Sequence, residues 1–187
     1  MNTIPKNIFQ LNKVFFTFLL KFLVCYFVAT MLYSFYLNQY HIQNNEVDGI
    51  THFVAQQTKN ILVFFGDNCE IIKHEFEPSY KVIYNTVYIA RIVEGCNAMS
   101  VIILFASFIV AFSVTFKTTF LYVLFGGIFI FILNIIRISL LTIGLYNYPS
   151  YGTFLHDIVF PLFIYGVVFV FWILWVIRFS YNNKQNG

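Results

Sequence analysis

Three residues of this chain carry side chains that could work together in acyl transfer: Cys96, Arg137 and His156. A cysteine attacks as a thiolate, which is favoured by a helix N-terminus, a cation or a neighbouring histidine. A histidine exchanges a proton near neutral pH and can act as general acid or base. Arginine stays charged, so Arg137 cannot be the base, but it can stabilise a thiolate or an oxyanion. These residue types together indicate thiol-based cleavage or transfer of an acyl group.

The composition of the chain predicts a membrane environment for these residues. Of its 187 residues, 59% are hydrophobic and 10% are charged, which leaves too little polar surface for a soluble globule. A helix needs roughly 20 mostly apolar residues to cross a bilayer. We therefore predict an all-α polytopic membrane protein with about four transmembrane helices, at 14–37, 98–116, 119–146 and 158–180. The third is longer than one crossing requires, so we expect its far end to reach into or past the interface.

The distribution of charged residues predicts the orientation. If the N-terminus is cytoplasmic, every Asp and Glu lies outside, and the inner side carries only basic residues: Lys6, Lys13, Lys117, Arg178 and Lys184. Because Lys and Arg accumulate in short cytoplasmic segments, we predict that both termini are cytoplasmic. The net charge of +3 is explained by this topology and does not indicate nucleic-acid binding.

The first apolar segment is expected to be a retained helix. It is long and aromatic, and no small-residue signal-peptidase site follows it. Cys25 is preceded by Leu23 and Val24 rather than by small residues, so we interpret it as a buried hydrophobe and not as a lipoprotein site. The whole chain, 1–187, is then predicted to form a single integral membrane domain.

An outer cap at about 38–95 is the only sizeable part predicted to lie outside the membrane. Six residues fall near helical spacing and predict an amphipathic helix on the membrane or on the bundle: Ile50, Phe53, Val54, Gln57, Ile61 and Phe64. The segment 80–94 is rich in Val, Ile and Tyr, and predicts a short β-hairpin that turns near residues 85–86.

This topology brings the three reactive residues to the outer side at similar depth. Cys96 directly precedes the second predicted span, Arg137 lies toward the outer end of the third, and His156 directly precedes the fourth. Five neighbours are possible supporting residues: Glu94, Gly95, Asn97, Asn134 and Asp157. Among them, the glycine would let a substrate backbone approach the thiol closely.

Purely structural roles are also open to the cysteine and the arginine. Cys96 could be a packing residue, or could form a disulfide with Cys69, the other outer cysteine. Arg137 could anchor the helix at the interface, or pair with Asp157 or Glu94. An arginine inside a span is nevertheless costly and marks a functional site by default.

The histidines can likewise have less specific roles. A lone histidine such as His156 is more often a surface residue than a catalyst. Three further outer histidines leave a metal site open, although no H-x-x-x-H spacing supports one: His41, His52 and His74. We predict neither a metal nor a cofactor.

Three short blocks of the sequence resemble the exosortase/archaeosortase family of polytopic membrane transpeptidases. They are "EGCNAMSV" before a span, "NIIRISLL", and the histidine of "GTFLHDIVFPLF". Their order and their placement on membrane helices fit the family, and the compact length is most like the exosortase F type. The resemblance covers roughly 94–175. Asn97 departs from the commoner pattern, which has Ser or Gly after the cysteine.

The resemblance implies an enzyme of the bacterial cytoplasmic (inner) membrane whose active site faces the periplasm. Such enzymes recognise a C-terminal sorting signal on membrane-anchored exported proteins: a short motif, a transmembrane helix and a basic tail. They cut near the motif through a thioester acyl-enzyme and transfer the new C-terminus to an acceptor, which could be water, a lipid or a glycan. In this chain Cys96 would be the nucleophile, Arg137 the electrostatic stabiliser and His156 the acid/base.

Two other classes of function compete with this interpretation. A non-catalytic membrane subunit or assembly factor of a secretion or surface-polymer system would tolerate replacement of Cys96, Arg137 and His156. A small transporter with Arg137 along its path would tolerate Cys96→Ala but not Arg137→Ala.

Overall fold

The computed structural model describes residues 13–40, 45–113 and 115–180. Its main helices are α1 (Lys13–Leu37), α2 (Gly49–Phe64), α3 (Met99–Ala111), α4 (Phe116–Asn147) and α5 (Phe160–Trp175). Short helical turns lead into α5 at Pro149–Tyr151, Gly152–Phe154 and Leu155–Val159, and Val176–Ser180 follows it. Three residues used in the sequence predictions lie outside the described ranges: Lys6, His41 and Lys184.

Three helical segments are long and apolar enough to cross a membrane: Phe15–Leu37, Phe116–Asn147 and Pro149–Arg178. They correspond to the first, third and fourth predicted spans. Large apolar side chains along α1, among them Leu20 and Phe35, are exposed on the surface of the protein. Exposed apolar side chains of this kind are what a lipid-facing helix requires, so the chain has the architecture of a membrane protein.

The second predicted span is shorter than expected. Helix α3 has 13 residues, a length of about 20 Å, whereas the hydrocarbon core is about 30 Å thick. Apolar residues continue to Phe116, but the chain turns earlier, because Thr115 already forms the N-cap of α4 and its hydroxyl donates to Thr118. Phe18 of α1 packs on Phe112, with ring centroids 4.1 Å apart, just past the end of α3.

The predicted amphipathic helix is present as α2, with a different buried face. The Asp48 carboxylate caps it by accepting the N–H groups of Ile50 and Thr51. Its buried residues are Thr51, Val54, Ala55, Thr58 and Leu62, whereas Phe53 and Phe64 of the predicted face are exposed. Small Thr and Ala side chains let α2 approach its neighbours closely, which turns the bulkier phenylalanines outward.

The predicted hairpin is confirmed as two strands of a three-stranded sheet. Strands β2 (Tyr80–Tyr84) and β3 (Val87–Ile92) are antiparallel. Asn85 and Thr86 join them with φ values of 48° and 68°, the left-handed pair that a two-residue hairpin turn requires. Strand β1 (Cys69–Lys73) was not predicted and pairs with β2, which gives the order β1-β2-β3.

The C-terminal part of α4 forms the floor of the cap, the part of the chain between α1 and α3. Ile135 and Ile138 pack into a core formed by cap residues: Val54, Ala55, Leu62, Cys69, Val82, Tyr84 and Ile92. About 20 residues of α4 suffice to cross the hydrocarbon, so its remaining turns are free to hold the cap. The excess length of the third predicted span therefore has a structural use.

Candidate active site

Cys96 lies in a single 3-10 turn, Glu94–Cys96, between β3 and α3. Its N–H donates to the carbonyl of Val93, over 2.9 Å. The sequence prediction placed this cysteine directly at a helix start, but Asn97 and Ala98 separate it from the first residue of α3. Ala98 adopts a left-handed conformation with φ 63°, which turns the chain into the helix.

Asn134 of α4 connects the cysteine turn to Arg137. Its Nδ2 donates to the backbone carbonyl oxygen of Cys96 over 2.7 Å, and its Oδ1 accepts from Nη1 of Arg137 over 3.2 Å. Asn134 itself is fully buried, and its two partners are half-buried. The Arg137 guanidinium lies within electrostatic range of the Cys96 thiol and of the Tyr165 hydroxyl of α5. The structure thus brings two of the three predicted reactive residues together.

The Arg137 guanidinium has donors that the protein leaves unused. Its Nε is buried and has no hydrogen-bond partner within the described ranges. Neither of the acidic partners considered from the sequence pairs with it there, because Glu94 accepts from Tyr33 over 2.6 Å and Asp157 pairs with His156. A buried donor without a partner is costly, and because this atom is sealed inside the protein, a ligand oxygen would be stabilised by the charge of the guanidinium rather than by a bond to Nε.

His156 and Asp157 form a pair of their own in the π-helical turn Leu155–Val159. Nδ1 of His156 lies 2.7 Å from Oδ1 of Asp157, and both side chains are exposed. If Nδ1 carries the proton that the carboxylate accepts, Nε2 is left as a proton acceptor. This arrangement would give Asp157, a possible supporting residue from the sequence, the role of orienting the histidine.

The structure does not join His156 to the other two residues. The neighbouring Leu155 packs 3.2 Å from the Cβ position at Gly144, which places His156 about seven residues, or ~10 Å, beyond Arg137 along α4. No hydrogen bond links His156 to Cys96 or Arg137 among the residues described.

The three cysteines are free thiols in the structure, so the disulfide between Cys69 and Cys96 is not formed. Cys69 is buried in the core of the cap, and Cys96 is half-buried at its edge. Burial raises the pKa of the Cys69 thiol above its ordinary value. Its reactive thiolate is therefore scarce at neutral pH.

We expect a maleimide to label Cys96 in native membranes without reductant and to leave Cys69 unmodified at neutral pH. Labelling of Cys69 should rise only on unfolding or at alkaline pH, because its pKa is raised by burial. Mass spectrometry of labelled peptides measures both sites, with single Cys→Ser variants as controls. Labelling of Cys96 that appears only after reduction would show that the disulfide forms.

The described histidines have local partners. His52 Nδ1 lies 2.6 Å from the Tyr80 hydroxyl, and His74 Nδ1 accepts the N–H of Phe76 over 3.2 Å. No group of three or more His, Cys, Asp or Glu side chains is placed to hold a metal ion within 13–40, 45–113 and 115–180.

Two residues near the candidate site were not identified from the sequence, Tyr33 of α1 and Tyr165 of α5. Each lies in a long apolar helix, where a tyrosine is also typical of the membrane interface. The only signal in the sequence is a hydroxyl on an otherwise apolar helix. This signal does not distinguish a residue of the site from a tyrosine at the membrane interface.

Comparisons with family models, with curated proteins and with solved structures find no match to this chain. A functional assignment therefore depends on the side chains around Cys96 and on their place in the membrane fold.

Proposed function

We propose that the protein is an exosortase-like cysteine transpeptidase or protease that cleaves C-terminal sorting signals of membrane-anchored proteins. One observation carries the proposal: the buried Asn134 amide bonds both the backbone of Cys96 and the guanidinium of Arg137. A thiol beside a cation with unused N–H donors suits acyl transfer, because the cation favours the thiolate and then the oxyanion.

The proposed reaction begins with attack of the Cys96 thiolate on the scissile carbonyl. The Arg137 guanidinium, which Asn134 holds through Nη1, stabilises the oxyanion of the tetrahedral intermediate by its positive charge. Collapse of the intermediate breaks the C–N bond, His156 in its protonated form gives a proton to the leaving amine, and a thioester remains. An acceptor hydroxyl or amine then attacks the thioester, His156 takes its proton, and the thiolate is released.

This role requires His156 to approach the thiol when the substrate binds, because the structure places it ~10 Å beyond Arg137 along α4. A general acid must reach the leaving amine, which lies on the far side of the scissile bond from the thiol. Catalytic hydrogen bonds are often long in substrate-free structures and tighten when the substrate binds. The bond between His156 and Asp157 would keep the imidazole oriented during this step.

We further propose that the protein lies in a bacterial cytoplasmic membrane with both termini inside and the cap facing the periplasm. The charge distribution supports this orientation, and α3 would serve as a fourth, shorter membrane helix. A substrate with its own transmembrane helix diffuses in the same plane, so its cleavage motif meets the thiol at a fixed depth. This restriction raises the effective concentration of the substrate without a large docking surface.

The test compares cells that carry the native protein with cells that carry Cys96→Ala. The C-termini and intact masses of membrane and surface proteins are read by mass spectrometry. We expect a set of proteins with C-terminal helices to keep their tails only in the variant, since the nucleophile is gone. Cys25→Ala, a half-buried thiol in α1, is the control and should process normally.

The opposite result is equally informative. If no C-terminus changes while Cys96→Ala accumulates normally in the membrane, the thiol is not catalytic. The alternative of a non-catalytic membrane subunit or assembly factor would then be the better account.

A further inference from the structure

A partly buried polar network connects α1 and α2 to the turn that carries Cys96. Nδ2 of Asn97 donates to the Tyr33 hydroxyl over 2.7 Å and lies 3.2 Å from Oγ1 of Thr51. The Tyr33 hydroxyl in turn donates to Oε1 of Glu94 over 2.6 Å. Tyr33 therefore contacts the turn at two points, through one residue on each side of Gly95 and Cys96.

The burial of Asn97 and Thr51 makes the bonds at this end of the network hard to replace. Asn97 is 2% exposed and Thr51 is fully buried. Water cannot readily take over such partners, and hydrogen bonds at low dielectric strengthen and rigidify the groups that they join. The Oδ1 of Asn97 is also occupied, because it accepts the N–H of Met99 over 2.9 Å at the start of α3.

The opposite side of the turn is held by α4. Asn134 bonds the carbonyl of Cys96 from that side, and the same amide bonds Arg137. The turn is thus fixed between the α1–α2 network and the helix that carries the guanidinium. Without the network, the hydrogen bonds of Asn134 would be the main side-chain link between the cysteine and Arg137.

We propose that Tyr33 is a positioning residue that, with Thr51, holds Asn97 and Glu94 so that the Cys96 thiol stays beside Arg137. This inference rests on the proposed function for its catalytic meaning. The composition of α1 indicates only a membrane span. The inference adds a second role for this helix, a contact that positions the cysteine turn.

The test is the rate at which Cys96 is alkylated in native membranes at neutral pH, with the same protein labelled after denaturation as the reference for complete reaction. Tyr33→Phe removes one hydroxyl and leaves the ring, so Cys96 should react about tenfold more slowly, as expected for loss of a buried hydrogen-bonding partner. Tyr36→Phe is the matched control, since Tyr36 lies one turn further along α1 and its hydroxyl is 3.2 Å from that of Tyr40. We expect no change in that variant.

A second pair of variants separates positioning from a general effect on folding. Thr51→Val removes the hydroxyl that faces Asn97, and Thr51→Ser restores it. The valine variant should slow alkylation of Cys96, and the serine variant should recover the native rate. Protection of Cys69 from the same reagent confirms that the cap is folded in each variant, because Cys69 lies in its core.

The outcomes also distinguish this inference from the proposed function. An unchanged or faster rate in Tyr33→Phe, or an equal loss in Tyr36→Phe, would overturn the positioning role. If Tyr33→Phe unfolds the cap, the positioning role is decided by the rates of Thr51→Val and Thr51→Ser. Equal rates for these two variants would overturn it. Alkylation needs no substrate, so slower labelling in Tyr33→Phe would support the network even if Cys96→Ala processed normally.

Discussion

Replacement of Arg137 by glutamine should lower the rate of substrate processing about 10²–10³-fold, the usual cost of losing a donor to an oxyanion. Glutamine retains an amide that can still bond Asn134, but it lacks the positive charge and the buried Nε–H. Because no ion-pair partner is left behind within the described ranges, the variant should still accumulate in the membrane. Pulse labelling of a processed substrate, with the enzyme level measured in parallel, gives the rate.

Two further variants show which property of Arg137 matters. Arg137→Lys keeps the charge without the planar set of donors, so its rate should fall between those of the native protein and Arg137→Gln. Arg178→Gln changes an exposed arginine beyond α5 and should process normally. Normal processing by Arg137→Gln would show that the arginine is only an interfacial anchor. A defect of Arg137→Gln together with a normal Cys96→Ala would instead favour a transporter.

Replacement of Gly126 by alanine should destabilise the helix bundle by about 1–3 kcal/mol, the usual cost of overpacking a core. A Cβ at this position would lie 2.5 Å and 2.7 Å from ring atoms of Phe105. Phe105 is fully buried, with the rings of Tyr122 and Phe171 close by, so it has little room to retreat. The Phe105 ring of α3 lies directly against the backbone of α4 at Gly126, as is common where small residues form a membrane-helix interface.

Gly127→Ala is a matched control on the next residue of α4. The nearest atom to a Cβ at this position is Cγ2 of Ile102, at an ordinary contact distance of 3.6 Å. Thermal unfolding in detergent should therefore show a lower midpoint for Gly126→Ala and little change for Gly127→Ala. Equal midpoints for the two variants would mean that α3 can move away from α4 at low cost.

Composition and turn chemistry were sufficient to predict much of this fold. Long apolar runs identified three helices that match the predicted spans, because no soluble fold hides so much apolar surface. The turn at Asn85 and Thr86 was predicted from the β-favouring residues on either side, although the partner strand β1 was not. With only two adjacent isoleucines among charged residues, β1 depends on pairing with β2 more than on its own sequence.

The helix lengths and the contacts at the site were harder to predict. Hydropathy does not report where a chain turns, so α3 was predicted too long. The topology predicted a similar depth for Cys96 and Arg137, but the amide of Asn134 that joins them is a contact between residues 38 apart in sequence. Asn97 is a buried residue with partners on α1 and α2, a role that spacing alone does not indicate.

The uninterrupted course of α4 has a consequence for the choice of substrates. From Phe116 to Arg137 the helix rises about 30 Å, close to the thickness of the hydrocarbon core. This single helix therefore fixes the distance of the guanidinium from the N-terminal end of α4, and the same helix supports the cap through Ile135 and Ile138. Under the proposed function, the length of α4 therefore selects substrates by the hydrophobic length of their transmembrane helix. A helix of matching length presents its motif at the depth of the thiol, whereas a shorter or longer helix presents the motif below or above that depth.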